Sequence, residues 1–187
     1  MQKTAQPHTP KHDQSTTLKI AVAAIFAALV FIVTSQVPPI PIPATGGYFN
    51  IGETTVYISA LLFGPIIGAF AGGVGAALSD AYLGFGLFAP GTLIIKATEG
   101  AITGFLFIKL QKRIKNTATS ATIAVLAGGS AMVTGYFLYE QLALGIPLAV
   151  ALAEVPANLG QMAVGLVIAM PIMVGVQRVF PQLKSYF

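Results

Sequence analysis

The chain has 187 residues, 55% of them hydrophobic and 9% charged, with a mean hydropathy of +0.80 and a formal net charge of +4. Soluble domains carry roughly 25% charged residues, so this composition cannot cover a water-facing surface, and lipid must cover it instead. The basic residues lie in the tails and one loop rather than on a nucleic-acid-binding face, and the lack of cysteine excludes disulfides, thiolate nucleophiles and Cys-ligated metals.

Residues 1–17 read as a polar cytoplasmic tail, which holds both histidines, His8 and His12. No small-residue cleavage site follows the first apolar run, so that run is kept as a helix and not as a signal peptide. It spans Leu18–Thr34, about 17 residues, near the lower limit for crossing a core ~30 Å thick. Its Ala23-x-x-x-Ala27 and Ala24-x-x-x-Ala28 pairs leave a flat strip where another helix can approach closely. Pro38, Pro39, Pro41 and Pro43 then forbid a helix, because each lacks a donor and fixes φ. The segment is extended, apolar and stiff. It fits either a loop on the membrane interface or a lid over a site, with Pro39, Pro41 and Pro43 as lid residues.

Gly46–Glu53 (GGYFNIGE) is too polar to cross lipid unaided and leads into a second helix, roughly Ile51–Phe63. Gly64-Pro65 is a sharp turn before a third helix, Pro65–Leu83. Gly64, Gly68, Gly72 and Ala76 lie four apart and form a small-residue ridge, whose partner could be inside this chain or in another subunit. Helix four runs from about Pro90, a favourable first-turn position, to Leu110. Lys109, Lys112, Arg113 and Lys115 form a basic loop. Helix five is about Thr119–Leu144, Gly145–Pro156 is a connection or short surface helix, and helix six is about Ala157–Val179, with Pro171 a potential kink.

The expected fold is an all-α membrane protein, a compact bundle of six transmembrane helices over residues 18–180, with a second short tail at 181–187. With both termini cytoplasmic, every basic residue except Lys96 falls on the inner side, in agreement with the positive-inside rule. Lys96 lies inside a span and needs a separate reason.

Following the helix directions, Glu53, Asp80, Lys96, Glu99, Glu140 and Glu154 all fall in or near one outer layer. A charge in hydrocarbon costs ~2.5 kcal/mol or more and normally faces a cavity or a partner. Six in one layer imply a polar cavity open to the outside. Lys96 and Glu99 are three apart and can pair on one face, either as a structural ion pair or as part of a binding site. Asn158 and Gln161 also share a face and can both donate and accept. The candidate binding set is Tyr48, Asn50, Glu53, Tyr57, Asp80, Lys96, Glu99, Tyr139, Asn158 and Gln161. No residue is assigned a catalytic or metal-binding role, and no cofactor is expected. No G-x-x-x-x-G-K-[ST] or H-E-x-x-H motif is present. Capture of a solute therefore leads. A stand-alone proton-coupled transporter using Asp80 or Glu99 and an intramembrane enzyme are the alternatives.

The run TGGYFNIGETTVYISALLFGPIIGAFAGGVGAALSDAYLGFGLFAPGTLIIKATEGAITGFL (Thr45–Leu106) resembles the substrate-binding S components of energy-coupling factor (ECF) vitamin transporters, riboflavin-type branch. The likeness lies in the N-I-G-E start of helix two, L-L-F-G-P at its end, a Gly-rich helix three ending in S-D, and A-P-x-T-L-I-I-K-x-x-E-G in helix four. P-A-N-L-G-Q (Pro156–Gln161) is similar to the family's helix-six entry, and Ala23-x-x-x-Ala27 to its helix-one coupling motif. The resemblance implies a subunit of the cell membrane that binds a vitamin under a lid formed by the first outer loop. It also implies coupling through small-residue faces of helices one to three, here Ala23, Ala27, Gly64, Gly68 and Gly72, to a membrane subunit joined to two cytoplasmic ATPases. The acidic site disfavours a strongly anionic cargo. A neutral flavin, a cationic thiamine-like compound or its pyrimidine part suits it better.

Overall fold

Apolar runs broken by glycine and proline set the element boundaries of this chain. The structure, a computed structural model, describes residues 11–181 and 183. Among them, α1 (Lys11–Gln36) leads to a hairpin of β1 (Ile40–Ile42) and β2 (Gly47–Phe49), followed by α2 (Glu53–Phe63), α3 (Pro65–Leu83), α4 (Ala89–Gln111), α5 (Thr117–Leu142) and α6 (Leu148–Val179). The fold is thus largely helical, with one feature absent from the sequence reading. The proline run is not a plain loop: Pro41 pairs with Tyr48, Ile40 with Phe49 and Ile42 with Gly47. Proline is tolerated there because β1 is an edge strand, and Gly46, at φ 74, supplies the left-handed residue of the turn.

Two boundaries differ from expectation. Helix α1 begins seven residues before Leu18, so residues 11–17 of the expected tail are helical; residues 1–10 and most of 181–187 lie outside the described residues. The expected connection Gly145–Pro156 is instead largely the start of α6, which runs unbroken for 32 residues with Pro156 and Pro171 inside it. Proline removes one backbone donor but is tolerated in membrane helices, where neighbouring groups re-satisfy the freed carbonyl. At α5, Asn116 caps the helix by accepting a 3.1 Å hydrogen bond from the Thr119 amide.

Among the described residues, four helical stretches are long and apolar enough to cross a membrane: Thr16–Gln36, Pro65–Leu83, Thr117–Leu142 and Leu148–Val179. Helix α4 has the length, with 23 residues, but carries Lys96, Glu99 and Lys109. Helix α2 has 11 residues, about 16 Å of rise, half a bilayer core. It escapes lipid because nearly all of its side chains are buried among the other helices. The outward faces are apolar, with Ile20, Ile25, Leu29, Ile66, Ile94 and Val167 exposed, as an integral membrane protein requires.

The main core is built around Tyr57, Leu61, Ile95, Val125, Met132 and Met162, joining α2, α4, α5 and α6. A second cluster, Val30, Val56, Ala71 and Ala76, seals α1 to α2 and α3. Between these clusters the helices touch through their backbones. A Cβ at Gly68 would lie 2.7 Å from Ala60 Cβ and 3.0 Å from the Gly100 carbonyl oxygen, and one at Gly72 would lie 2.8 Å from the Lys96 carbonyl oxygen. The ridge Gly64-Gly68-Gly72 therefore packs within the chain, against α2 and α4, which answers where its partner lies. Ala27 is likewise occupied internally, its carbonyl lying 2.5 Å from where a Cβ on Gly75 would sit. Gly64 has a second duty. At φ 84 and ψ −172 it joins α2 to α3 with no intervening loop, a conformation that a side chain would disfavour.

Candidate functional site

Three of the six charges placed in the outer layer, Glu53, Lys96 and Glu99, form one buried constellation. The Lys96 ammonium, on α4, binds the Glu53 carboxylate from the first turn of α2 and lies 3.1 Å from Glu99 Oε2 on its own helix. All three side chains are almost fully removed from solvent. The Tyr57 hydroxyl donates to Glu99 Oε1 at 2.8 Å, and Gln161 Nε2 donates to Glu53 Oε2 at 3.1 Å. One lysine thus neutralises part of two carboxylates, while neighbouring donors hold both in place. The i,i+3 spacing foretold the Lys96–Glu99 contact. The Lys96–Glu53 contact joins residues 43 apart in sequence and has no local signal.

Above this cluster lies a cavity covered by the hairpin. Tyr48, Asn50, Glu53, Asp80, Lys96, Asn158 and Gln161 from the sequence-predicted set all line it. Asn50 is held by Gln161, whose Oε1 accepts from the Asn50 amide at 3.0 Å, and Asn50 Oδ1 in turn accepts from the Gly52 amide at 2.8 Å. That clasp fixes the entry of α2, and with it Glu53. Glu99 and Tyr57 are not in the lining: Glu99 pairs with the Lys96 ammonium and Tyr57 bonds Glu99. Tyr139 does not belong with the others: its hydroxyl donates to the Leu87 carbonyl at 2.8 Å and its ring fills the space over Gly91.

The lid reading is refined in the same way. Pro39, Pro41 and Pro43 do not touch the cavity, and Pro41 and Pro43 are exposed. The inner strand does, through Gly47 and Tyr48. The Tyr48 hydroxyl donates to Asp80 Oδ1 at 2.6 Å, and its ring sits 4.5 Å from that of Phe85. Burial, reinforced by Asp80, pushes the Tyr48 phenol well above its ordinary range, so it remains a donor. At the turn, the Thr45 hydroxyl donates to Glu154. A Cβ at Gly47 would sit 2.7 Å from a Glu154 oxygen, so a side chain there would push the Glu154 carboxylate aside.

Other lining groups were absent from the predicted set, four of them large or charged enough to shape the site. Glu154, Thr92, Phe88 and Tyr136 complete the wall, with the Tyr136 hydroxyl donating to Thr92 Oγ1 at 3.0 Å and its ring 5.8 Å from the Lys96 ammonium. Tyr136 carried a signal, being one turn deeper on α5 than Tyr139. The free space under the hairpin is about 30 Å³, room for one or two waters against the ~300–1,000 Å³ of sites for small organic ligands. An organic ligand can enter only if the hairpin moves. Replacing Tyr48 by phenylalanine removes one bond to a carboxylate, worth ~1.5–3 kcal/mol. Hydrogen exchange followed by mass spectrometry is therefore expected to show about tenfold faster exchange over Gly47–Phe49, with α3 unchanged; equal exchange in both proteins would mean that this bond does not hold the hairpin.

Residues 14–178 match the family model described as "ECF-type riboflavin transporter, S component". A Pyrococcus woesei protein described as "Uncharacterized protein in gap 3'region" is 45% identical over 104 residues; the match covers 56% of this chain and 66% of that relative, just under two thirds of its length. Two solved structures share the fold. The S component of a bacterial ECF transporter aligns with TM-score 0.60 at 18% identity, over 90% of this chain and 99% of that one. The S component for biotin from an ECF-type ABC transporter aligns with TM-score 0.60 at 19% identity, over 98% and 100% of the two chains.

Proposed function

The chain belongs to the ECF-type riboflavin transporter S-component family, and from that premise we propose that it captures a water-soluble vitamin from outside the cell for uptake powered by other subunits. The cargo is riboflavin or a related heterocyclic vitamin or precursor. The observation that carries this reading is the cavity under the hairpin, where polar side chains from α2, α3, α4 and α6 converge beside the apolar Val30, Val56, Ala76 and Phe88. Convergent, fixed polar groups of this kind set the orientation of a small ligand.

Six crossings with both termini cytoplasmic put the hairpin and cavity outside and the Lys109–Lys115 loop inside, as the positive-inside rule asks. Helix α2 completes its crossing through the short segment that links it to the hairpin. The binding groups are Tyr48, Asn50, Glu53, Asp80, Lys96, Asn158 and Gln161, with Glu99 and Tyr57 as their support. The hairpin is the lid. The partners are a membrane coupling subunit and two ATPases, in keeping with a chain that has no phosphate-binding loop. Because the glycine ridge is occupied internally, the coupling surface falls on the neighbouring apolar groove, where Ala23 meets Phe63, Ile66 and Phe70.

Mass spectrometry of small molecules that copurify with the chain, followed by equilibrium binding of the identified compound, tests the proposal. The expected result is one tightly held vitamin, bound without ATP. A chain that retains and binds no water-soluble vitamin would sink it. Uptake driven by a pH gradient into vesicles holding this chain alone would point instead to a stand-alone carrier using Asp80 or Glu99.

A further inference from the structure

Resting on the capture reading, we infer that the cargo is a cationic, donor-rich heterocycle recognised by Asp80 and Glu154, which exchange the hairpin's hydroxyl groups for donors of the ligand. Both carboxylates line the cavity, and both are nearly fully buried. Each is met from the hairpin by one hydroxyl: Tyr48 on Asp80 and Thr45 on Glu154. With about 30 Å³ beneath it, the hairpin must rise to admit cargo, and both carboxylates then lose a donor. An ionised carboxylate only accepts hydrogen bonds, and a buried acceptor left unmet is costly. A ligand that takes the space has to bring N–H or O–H groups with it.

The charge balance points the same way. Lys96 is the sole basic residue lining the cavity, and its ammonium already serves Glu53 and Glu99. Neither Asp80 nor Glu154 forms a close ion pair among the described residues. Glu140 on α5 is buried as well. Glu53 Oε1, in the cavity wall, is also buried and unpartnered. An anionic ligand would add to this surplus of negative charge in a low-dielectric setting, whereas a cation offsets it. Phe88 adds an aromatic ring to the same wall.

Isothermal titration of the purified full-length chain with thiamine (a permanent cation bearing an aminopyrimidine), riboflavin (neutral) and biotin (anionic) tests the inference. Thiamine is expected to bind at least tenfold more tightly than either of the others. Asp80→Asn and Glu154→Gln are each expected to weaken thiamine binding at least tenfold, with the ligand-free melting temperature monitored in parallel. If a variant does not fold, the ranking on the unmodified chain decides alone. Riboflavin or biotin binding as tightly as thiamine overturns the inference and leaves the capture reading standing; binding of no vitamin at all removes both.

Discussion

Replacement of Lys96 by methionine is expected to destabilise the isolated chain by about 3–5 kcal/mol, the usual cost of removing one partner from a buried ion pair. The variant leaves Glu53 and Glu99 side by side, both buried, with no counter-charge, since no other ammonium or guanidinium reaches them among the described residues. The triple variant Lys96→Met, Glu53→Gln, Glu99→Gln separates structure from binding. It removes the uncompensated charge while keeping amide groups where Gln161 and Tyr57 can still bond. We expect it to recover at least half of the lost stability, read as the melting temperature in detergent, yet to bind no vitamin. A single variant as stable as the parent would show that the lysine is not holding the two carboxylates together. A triple variant that binds normally would make the cluster purely structural.

Gly68→Leu provides the second large effect. A side chain at this position meets Ala60 on α2 and the Gly100 carbonyl on α4, both at 3.0 Å or less. Neither is a flexible side chain that can swing aside, so α3 must separate from its neighbours. Overpacking of this kind costs ~1–3 kcal/mol or more, and in lipid no hydrophobic gain offsets it, since close packing is what holds membrane helices together. A large fall in melting temperature of the chain by itself, before any partner is added, is the expected readout. Unchanged stability with lost uptake would instead return Gly68 to a surface that docks a coupling subunit.

Much of the architecture was legible because the punctuation is strong. The bounds of α3 follow from Gly64-Pro65 and Gly84, and the apolar lengths between breakers marked most of the other helices. Where the reading slipped, the same punctuation misled. Pro156 looked like a boundary, but a proline costs one hydrogen bond and the membrane gives the chain no better conformation than helix. The hairpin escaped notice because its strands have three residues each, too short for any alternation to register. In the site, a charge within an apolar run is conspicuous, so Glu53, Asp80, Lys96 and Glu99 stood out. Which charge meets which did not, because sequence spacing speaks only within one helix, and the Lys96–Glu53 and Thr45–Glu154 pairs join different elements. Of Tyr139 and Tyr136, one turn apart on α5, the deeper one reaches the cavity.

The apolar outward faces of α1, α3, α4 and α6 carry a thermodynamic consequence. In a soluble domain, unfolding wets the core, and the resulting heat-capacity increment bends the stability curve. Here the helices would part into lipid tails as apolar as their own side chains, and little hydrocarbon surface would change its hydration. The stability of this chain is thus set by contact at atomic range, by glycine against carbonyl and ammonium against carboxylate, and its dependence on temperature is expected to be closer to linear than a soluble domain's.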